Sequence, residues 1–286
     1  MERIRFRNIA IGSIMTWITL FVVIPYLIVV VISFLTRDEQ GMVSFVFTLD
    51  NYREIFSPVF LEVCKSSFTL AIATTIITLV VAYPFAFILT RISDNIRRTL
   101  ILLMIIPFWT SSLIRTYALI ILLKANGIIN GFLLNVGLID EPIGLLYTRL
   151  AVFIGMVYTL LPFMILPLYA SLLKLDRHLI EAARDLGATS RHVFFHIILP
   201  LTLPGIIAGS TMVFLPALGL FYIPDLLGGA RSMLIGNFIK DQFLTTSNWP
   251  MGSAASIILT ILMVVLLACY YISSRKTHQT SMGDTL

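Results

Sequence analysis

Six long apolar runs divide this chain and restrict it to a membrane-spanning fold. A helix needs about 20 apolar residues to cross the hydrocarbon core of a bilayer, and each run is close to or above that length. The sequence therefore predicts an all-α polytopic membrane protein with six transmembrane helices, placed near Ile9–Leu35, Cys64–Leu89, Leu100–Leu123, Leu150–Leu173, Ile197–Ile223 and Met251–Ile272.

Composition supports the same class. Of the 286 residues, 58% are hydrophobic and only 12% are charged, whereas soluble domains contain about 25% charged residues. In such a protein the net charge of +5 does not indicate nucleic-acid binding, and the position of each basic residue matters more. Cys64 and Cys269 fall near opposite predicted faces, roughly 30 Å apart, which is too far for a disulfide.

The first apolar run carries three arginines ahead of it, as a signal peptide does. It is longer than the ~7–15 residues of a signal sequence, and no A-x-A cleavage site follows, so we expect an uncleaved first helix. Basic residues in the short loops predict cytoplasmic N- and C-termini. The predicted inner side then holds Arg3, Arg5, Arg7, Arg91, Arg97, Arg98, Lys174, Arg177, Arg184, Arg191, Arg275 and Lys276, and the outer side holds Arg37, Arg53, Lys65, Lys124, Arg149, Arg231 and Lys240.

The fourth and fifth runs are joined by a polar segment, residues 174–197. Asp176 is placed to cap a short helix through Ile180–Leu186, and Gly187 can end that helix in the left-handed conformation. Ser190 can cap a second short helix that continues towards Pro200. The sequence thus predicts two helices joined by a tight turn.

Within the polar segment, the spacing of Glu181-Ala182-Ala183, Gly187 and Ile197-x-Leu199-Pro200 resembles the EAA signature of bacterial ABC-importer permeases. The resemblance implies a type I ABC-importer permease fold, with residues 1–286 as a single transmembrane permease domain. It also implies that the polar segment lies in the cytoplasm and docks into an ATPase through Glu181, Ala182, Ala183 and Gly187. On its own, the Glu181-Ala182-Ala183 triplet fits an ordinary solvent-exposed helix. Because Gly187 and Ile197-x-Leu199-Pro200 follow at the spacing of the signature, docking is the favoured interpretation.

Other segments are similar to the permeases of spermidine/putrescine importers. The resemblance implies polyamine uptake by a pair of different permease subunits, two ATP-binding subunits and a periplasmic substrate-binding protein. The same kind of permease for sulfate, molybdate or ferric ion is the alternative. The segments are FTLDNYREIF (47–56), PFWTSSLIRTYALIILL (107–123), LLPFMILPLYASL (160–172), EAARDLGA (181–188), IILPLTLPGIIAG (197–209), LPALGLFYIPDLLGG (215–229) and NWPMGSAASI (248–257).

The chain itself is not expected to be an enzyme. It contains no Gly-Lys dipeptide, so the phosphate-binding P-loop pattern is absent and ATP would be hydrolysed by a partner. Titratable residues inside the spans are too few for an intramembrane enzyme or a proton-driven transporter. His192 and His196 are four residues apart but have no third ligand nearby, so neither a metal nor a cofactor is expected.

A pathway for a polycation should offer carboxylates and aromatic faces, but no site that binds the cation too tightly to release it. Asp225, with the neighbouring Tyr222, fits best, and Trp109 beside Pro107 is a second candidate. Arg115 lies inside a span, where insertion costs about 2.5–3.5 kcal/mol. It either pairs with a carboxylate such as Asp225 or binds an anionic cargo.

Prolines and glycines predict a broken helix in the fifth span and kinks in the third and fourth, where a cavity or neighbouring helices can satisfy the freed backbone groups. Gly205-x-x-x-Gly209 indicates either close helix packing or a hinge. The predicted outer segment, residues 36–63, has room for one short interfacial helix, and the outer loop 126–148 is rich in Gly and Asn.

Overall fold

The computed structural model describes residues 2–38, 43–229 and 233–283. Arg231, assigned above to the outer side, lies outside these ranges. The structure also does not describe the side chains of Arg3, Arg5, Arg177, Cys269, Arg275 and Lys276. The chain divides into two compact units, Met1–Cys64 with Ile235–Val264 and Lys65–Leu234 with Val265–Leu286.

The first unit begins with one long apolar helix. Helix α1 (Glu2–Ile18) continues through a π turn, Thr19–Val23, into α2 (Ile24–Ser33). Pro25 has no N–H to donate, so a change in the hydrogen-bond pattern before it is expected. The part Phe6–Ser33 is long and apolar enough to cross a membrane, in agreement with the predicted first span.

A small hairpin follows α2. Strand β1 (Leu35–Arg37) pairs antiparallel with β2 (Val43–Phe47), and Leu35 lies opposite Phe47. Helix α3 (Asp50–Ile55) comes next. The short helix expected within residues 36–63 is thus present, but the hairpin was not predicted, because a strand of three residues carries too little alternation to be recognised.

The core of the first unit forms around α3 and the residues that follow it. Helix α14 (Ile235–Leu244) and the part of α15 (Trp249–Gly283) up to Val264 return to this unit. Phe60 packs edge-on against Phe238 with ring centroids 5.1 Å apart. The buried cluster consists of Ile55, Phe60, Met251, Ala254 and Ala255.

The second unit contains most of α4 (Pro58–Leu89), followed by α5 (Asp94–Ile105), a 3₁₀ turn Ile106–Trp109, α6 (Ser112–Leu123) and α7 (Ile128–Asn135). The predicted third span, Leu100–Leu123, is therefore wrong as a single helix. Thr110 and Ser111 are extended, with ψ of 150° and 134°, and they separate the 3₁₀ turn from α6. In this part of the chain, the helical stretch long and apolar enough to cross a membrane is Ser112–Asn135.

Helix α8 (Arg149–Leu173) is the centre of the second unit. It runs through Pro162 and Pro167 without interruption, so any kink there leaves the helix continuous. Helix α12 (Leu203–Gly219) packs along α8, and α13 (Tyr222–Gly228) packs against both α8 and α6.

Between α8 and α12 lie α9 (Arg177–Asp185), α10 (Ser190–Val193), a π turn Phe194–Ile198, and α11 (Leu199–Leu201). The predicted fifth span, Ile197–Ile223, is broken as its prolines and glycines suggested: the helical axis bends by 64° between Ser190–Leu201 and Leu203–Gly219. Within the described residues, five helices can cross a membrane, or six if the bent pair counts as one span.

Candidate functional site

The polar segment starts with a helix whose two ends are fixed by local hydrogen bonds. The Asp176 carboxylate accepts the N–H of His178 at 2.9 Å, which caps α9. At the other end Gly187 has φ of +85°. The N–H groups of Gly187 and Ala188 donate to the carbonyls of Arg184 and Ala183, at 2.9 and 3.0 Å. This pattern is a Schellman motif, and it agrees with the roles predicted for Asp176 and Gly187.

The second helix of the polar segment is capped by Thr189 and not, as predicted, by Ser190. The Thr189 hydroxyl accepts the N–H of His192 at 3.4 Å, and Ser190 is already the first helical residue. Serine and threonine are both good N-caps, so two adjacent ones leave the first residue of a helix undetermined by sequence.

The exposed side of α9 is chemically suited to a protein partner. Glu181 is exposed and lies 3.6 Å from His178, while Ala182 is exposed and Ala183 half-buried. Leu186, one turn beyond Ala182, is 89% exposed. A large apolar side chain beside two alanines and a carboxylate forms a surface that another protein can bury. Leu186 was not selected from the sequence, although its position directly before Gly187 in a polar segment could have indicated it.

Two cavities separate α9 from the helices of its own unit. One, of about 310 Å³, is lined by Phe87, Arg91, Leu172, Ile180, Glu181 and Arg184. The other, of about 420 Å³, lies towards α12 and includes Lys174, Asp176, Leu179 and Gly205. Helix α9 therefore has free volume on two sides.

A buried pair of hydroxyl groups lies where the polar segment meets α12. Thr202 is fully buried at the 64° bend, and its Oγ1 is 2.9 Å from the Tyr83 hydroxyl of α4. The Tyr83 ring also packs edge-on against Phe194, with centroids 5.6 Å apart. The sequence did not indicate this pairing, because each residue is a hydroxyl-bearing side chain within an apolar run and the two are 119 positions apart.

The substrate candidates fall in two separate elements. Tyr222 and Asp225 share the first turn of α13, where Tyr222 is half-buried and Asp225 is exposed. Phe221 lies edge-on to Tyr222, with ring centroids 6.1 Å apart. Trp109, at the end of the 3₁₀ turn, is 83% exposed. Asp225, Tyr222 and Phe221 therefore lie together at α13. The Trp109 ring lies in another part of the unit, at the end of the 3₁₀ turn.

Arg115 in α6 lies against aromatic rings. Its guanidinium carbon is 4.7 Å from the Phe108 ring centroid and 5.8 Å from that of Tyr158. Its Nε and Nη1 atoms are buried and have no hydrogen-bond partner among the described residues. At these two nitrogens, the ion pair with a carboxylate that the sequence suggested is not formed, and the rings provide the contact instead.

Replacing Arg115 by methionine is expected to leave the stability of the protein unchanged or to raise it. The change removes two buried donors, each of which costs about 1–3 kcal/mol when unsatisfied, and keeps an apolar chain against Phe108 and Tyr158. Thermal unfolding in detergent measures the effect, with Arg115→Lys as the control that retains the charge. A midpoint clearly lower for methionine than for lysine would mean that the positive charge at position 115 has a partner that stabilises the fold.

His192 and His196 form a stacked pair on the exposed side of the second helix. Their ring centroids are 3.9 Å apart and the planes differ by 17°. Nδ1 of His196 is 3.1 Å from the His192 carbonyl oxygen. Within the described ranges no group of three His, Cys, Asp or Glu side chains could hold a metal ion.

Comparison with known proteins gives consistent matches along the whole chain. Residues 4–279 match the family model described as "Binding-protein-dependent transport system inner membrane component". The chain is 52% identical to the spermidine/putrescine transport system permease protein PotB of Escherichia coli (strain K12), over 94% of this chain and 98% of that protein. It is 51% identical to PotB of Salmonella typhimurium (strain SL1344), over 96% of both.

Among solved structures, a chain of a bacterial alginate ABC transporter, crystallised with an alginate pentasaccharide-bound periplasmic protein, is similar in fold. The TM-score is 0.76 at 17% sequence identity, and the match covers 96% of both chains. At this identity the likeness supports the fold of an ABC-transporter permease and says nothing about cargo.

Proposed function

Because the chain belongs to the family of binding-protein-dependent transport system inner membrane components, we propose that it is the channel-forming permease subunit of an ATP-driven polyamine importer. The observation that carries the proposal is identity of 51–52% over nearly the whole chain to two permeases named for spermidine and putrescine transport. The family is one of multi-pass inner-membrane transport components, so the chain is a transporter subunit and not an enzyme.

The polar segment is the part through which ATP hydrolysis on a partner would move the permease. Two features support this: the exposed surface of Glu181, Ala182 and Leu186, and the Schellman turn at Gly187 that fixes the end of α9. Docking to an ATPase requires the polar segment and both termini to lie in the cytoplasm, as the basic residues of the loops predict. A sister permease, two ATP-binding subunits and a periplasmic binding protein complete the proposed importer.

The cargo pathway includes α13. Asp225 offers a carboxylate at the surface, and Tyr222 and Phe221 offer ring faces within the same turn. A polyamine consists of ammonium groups joined by methylenes, so a carboxylate with adjacent aromatic rings matches both parts of it. Trp109 is exposed and would contribute a further ring.

Arg115 does not favour an anionic cargo. Two of its nitrogens are buried, and its guanidinium lies against Phe108 and Tyr158, so those donors do not face a space that sulfate or molybdate could enter. These two donors therefore do not support the alternative of an anion importer.

The cargo is tested in proteoliposomes that contain this chain, a sister permease and the ATPase, supplied with the binding protein. We expect ATP-dependent uptake of labelled spermidine or putrescine, with competition by the unlabelled polyamine and none by sulfate, molybdate or ferric ion. Uptake of one of these ions in place of polyamine would overturn the polyamine assignment and keep the permease assignment.

Replacing Asp225 by asparagine is expected to reduce polyamine uptake at least about tenfold, because a charge-assisted contact to an ammonium group contributes about 1.5–3 kcal/mol. Initial uptake rates in the proteoliposomes measure this, and Asp140→Asn, which removes an exposed carboxylate from the loop before α8, is the matched control. Equal losses in the two variants would show that Asp225 has no particular role in the pathway.

A further inference from the structure

Thr202 lies in the direct chain connection between the polar segment and α12. It lies between Ser190–Leu201 and Leu203–Gly219, which meet at 64°. Its φ and ψ are −93° and 0°, so it departs from helical geometry at the bend. Pro204, two residues further on, lacks the N–H group that would bond to the Pro200 carbonyl and continue a regular helix across Thr202.

The Thr202 side chain completes the hydrogen bonding at this bend. Its hydroxyl lies 2.9 Å from the Ile198 carbonyl oxygen and 3.2 Å from that of Leu199. A hydroxyl has one proton to donate. Since that proton is directed to these carbonyls, the Tyr83 hydroxyl, 2.9 Å away, is the donor to Thr202 Oγ1. The bond is buried and joins residues 119 positions apart in the chain.

Tyr83 contacts the polar segment at a second point as well. Its ring lies edge-on to Phe194, the first residue of the π turn Phe194–Ile198. Ring and hydroxyl therefore contact the two ends of one stretch, residues 194–202, which is the stretch between the exposed helices of the polar segment and α12. Helix α9 packs against α10 and the π turn and has free volume towards α4, α8 and α12, so a contact that fixes the π turn also bears on the direction of α9.

We propose that Tyr83 is a positioning residue for coupling, in that its hydroxyl holds the bend at Thr202 so that displacement of the polar segment moves α12. This rests on the proposed function of the chain as an ATP-driven permease. Without the bond, the stretch 194–202 can tilt independently of α12, and part of the ATP hydrolysed by the partner produces no transport.

The test uses the complete importer in proteoliposomes with Tyr83→Phe and Thr202→Val, and measures ATP hydrolysed per polyamine imported. We expect this ratio to rise about fivefold in Tyr83→Phe, the effect of losing one buried hydrogen bond. The rise should be at least as large in Thr202→Val, which also loses the contacts with the Ile198 and Leu199 carbonyls. Thr202→Ser keeps the hydroxyl, so its ratio of ATP hydrolysed to polyamine imported should stay near the wild-type value. The double variant should be no worse than Thr202→Val alone, because both changes remove the same bond.

Matched controls separate positioning from a general loss of stability. Tyr52→Phe removes a tyrosine hydroxyl bond of similar length, 2.8 Å to Ser33, in the other unit. Thr78→Val removes a buried threonine hydroxyl that donates to the Thr74 carbonyl within α4. Loss of folded protein lowers transport and ATP hydrolysis together and leaves their ratio unchanged, so both controls should retain the wild-type ratio.

A second measurement does not depend on the cargo. Amide hydrogen exchange of the assembled importer should be about fivefold faster over residues 198–206 in Tyr83→Phe than in wild type. If the wild-type importer transports no polyamine, the proposed function is wrong, but the exchange rates still test whether Tyr83 holds the bend at Thr202. Unchanged exchange in Tyr83→Phe would overturn the proposed role of Tyr83. Faster exchange together with a wild-type ratio of ATP hydrolysed to polyamine imported would overturn it as well.

Discussion

Replacing Gly187 by valine is expected to reduce ATP-driven uptake at least about tenfold while the protein still accumulates in the membrane. Gly187 has φ of +85°, a conformation that costs about 1–2 kcal/mol for an ordinary L-residue and more for a β-branched one. The cost is avoided only by abandoning the Schellman turn. The end of α9 would then change direction, and with it the surface that contains Leu186.

The fold itself should tolerate this change. A Cβ atom added to Gly187 meets nothing within 4 Å, so no core contact is disturbed. Accumulation of the variant, measured by immunoblot of membranes, should therefore remain near wild type while uptake is lost. A loss of protein in proportion to the loss of uptake would show that the turn matters for folding and not for coupling.

Asparagine at position 187 is the matched control for conformation. It adopts the left-handed region far more readily than valine does, and the open space around the position accepts its side chain. Gly187→Asn should thus retain most uptake. If asparagine and valine inactivate equally, the requirement at 187 is for space against a docked partner, and the explanation from backbone conformation is wrong.

The parts of this structure that sequence could predict are those set by neighbouring residues. The six apolar runs, the cap by Asp176 and the end of α9 at Gly187 depend on local pattern, backbone preference and hydrogen bonds within a few positions. The Thr189 cap was missed by one residue because serine and threonine at adjacent positions are equivalent signals.

Features that depend on distant contacts were not accessible in this way. The Tyr83–Thr202 bond joins α4 to the bend after α11, and no local pattern specifies it. The break at Thr110 and Ser111 lies in a run whose composition fits an unbroken span, so a kink was predicted and a complete interruption was not. In contrast, α8 continues through two prolines because its packing against α12 and α13 outweighs their local effect.

The glycine pair of α12 illustrates how structure decides between two readings of one motif. Gly205 and Gly209 could have marked a hinge or close packing. Both are buried on the side of α12 that faces α8, and the bend lies three residues earlier, at Thr202. The pair therefore allows close helix approach, and the bend is a separate feature.

Replacing Gly205 by alanine is expected to lower the stability of the protein by about 1–3 kcal/mol, the usual cost of overpacking, and replacement by leucine to abolish its accumulation. An added Cβ would overlap the Cβ of Ser171 and lie 2.9 Å from the Pro167 carbonyl oxygen, which is backbone and cannot rotate away. Helices α8 and α12 would have to separate. Thermal unfolding in detergent and uptake in membranes measure the effect.

Two further variants make this result specific to the helix contact. Gly131→Ala in α7 adds a methyl group that meets nothing within 4 Å, so it should be neutral or stabilising by up to about 1 kcal/mol. Combining Gly205→Ala with Ser171→Gly removes the overlapping Cβ but not the contact with the Pro167 oxygen, so partial recovery is expected. A Gly205→Ala protein as stable as Gly131→Ala would mean that α8 and α12 do not approach this closely in the membrane, and that Thr202 is not held at the start of a tightly packed helix.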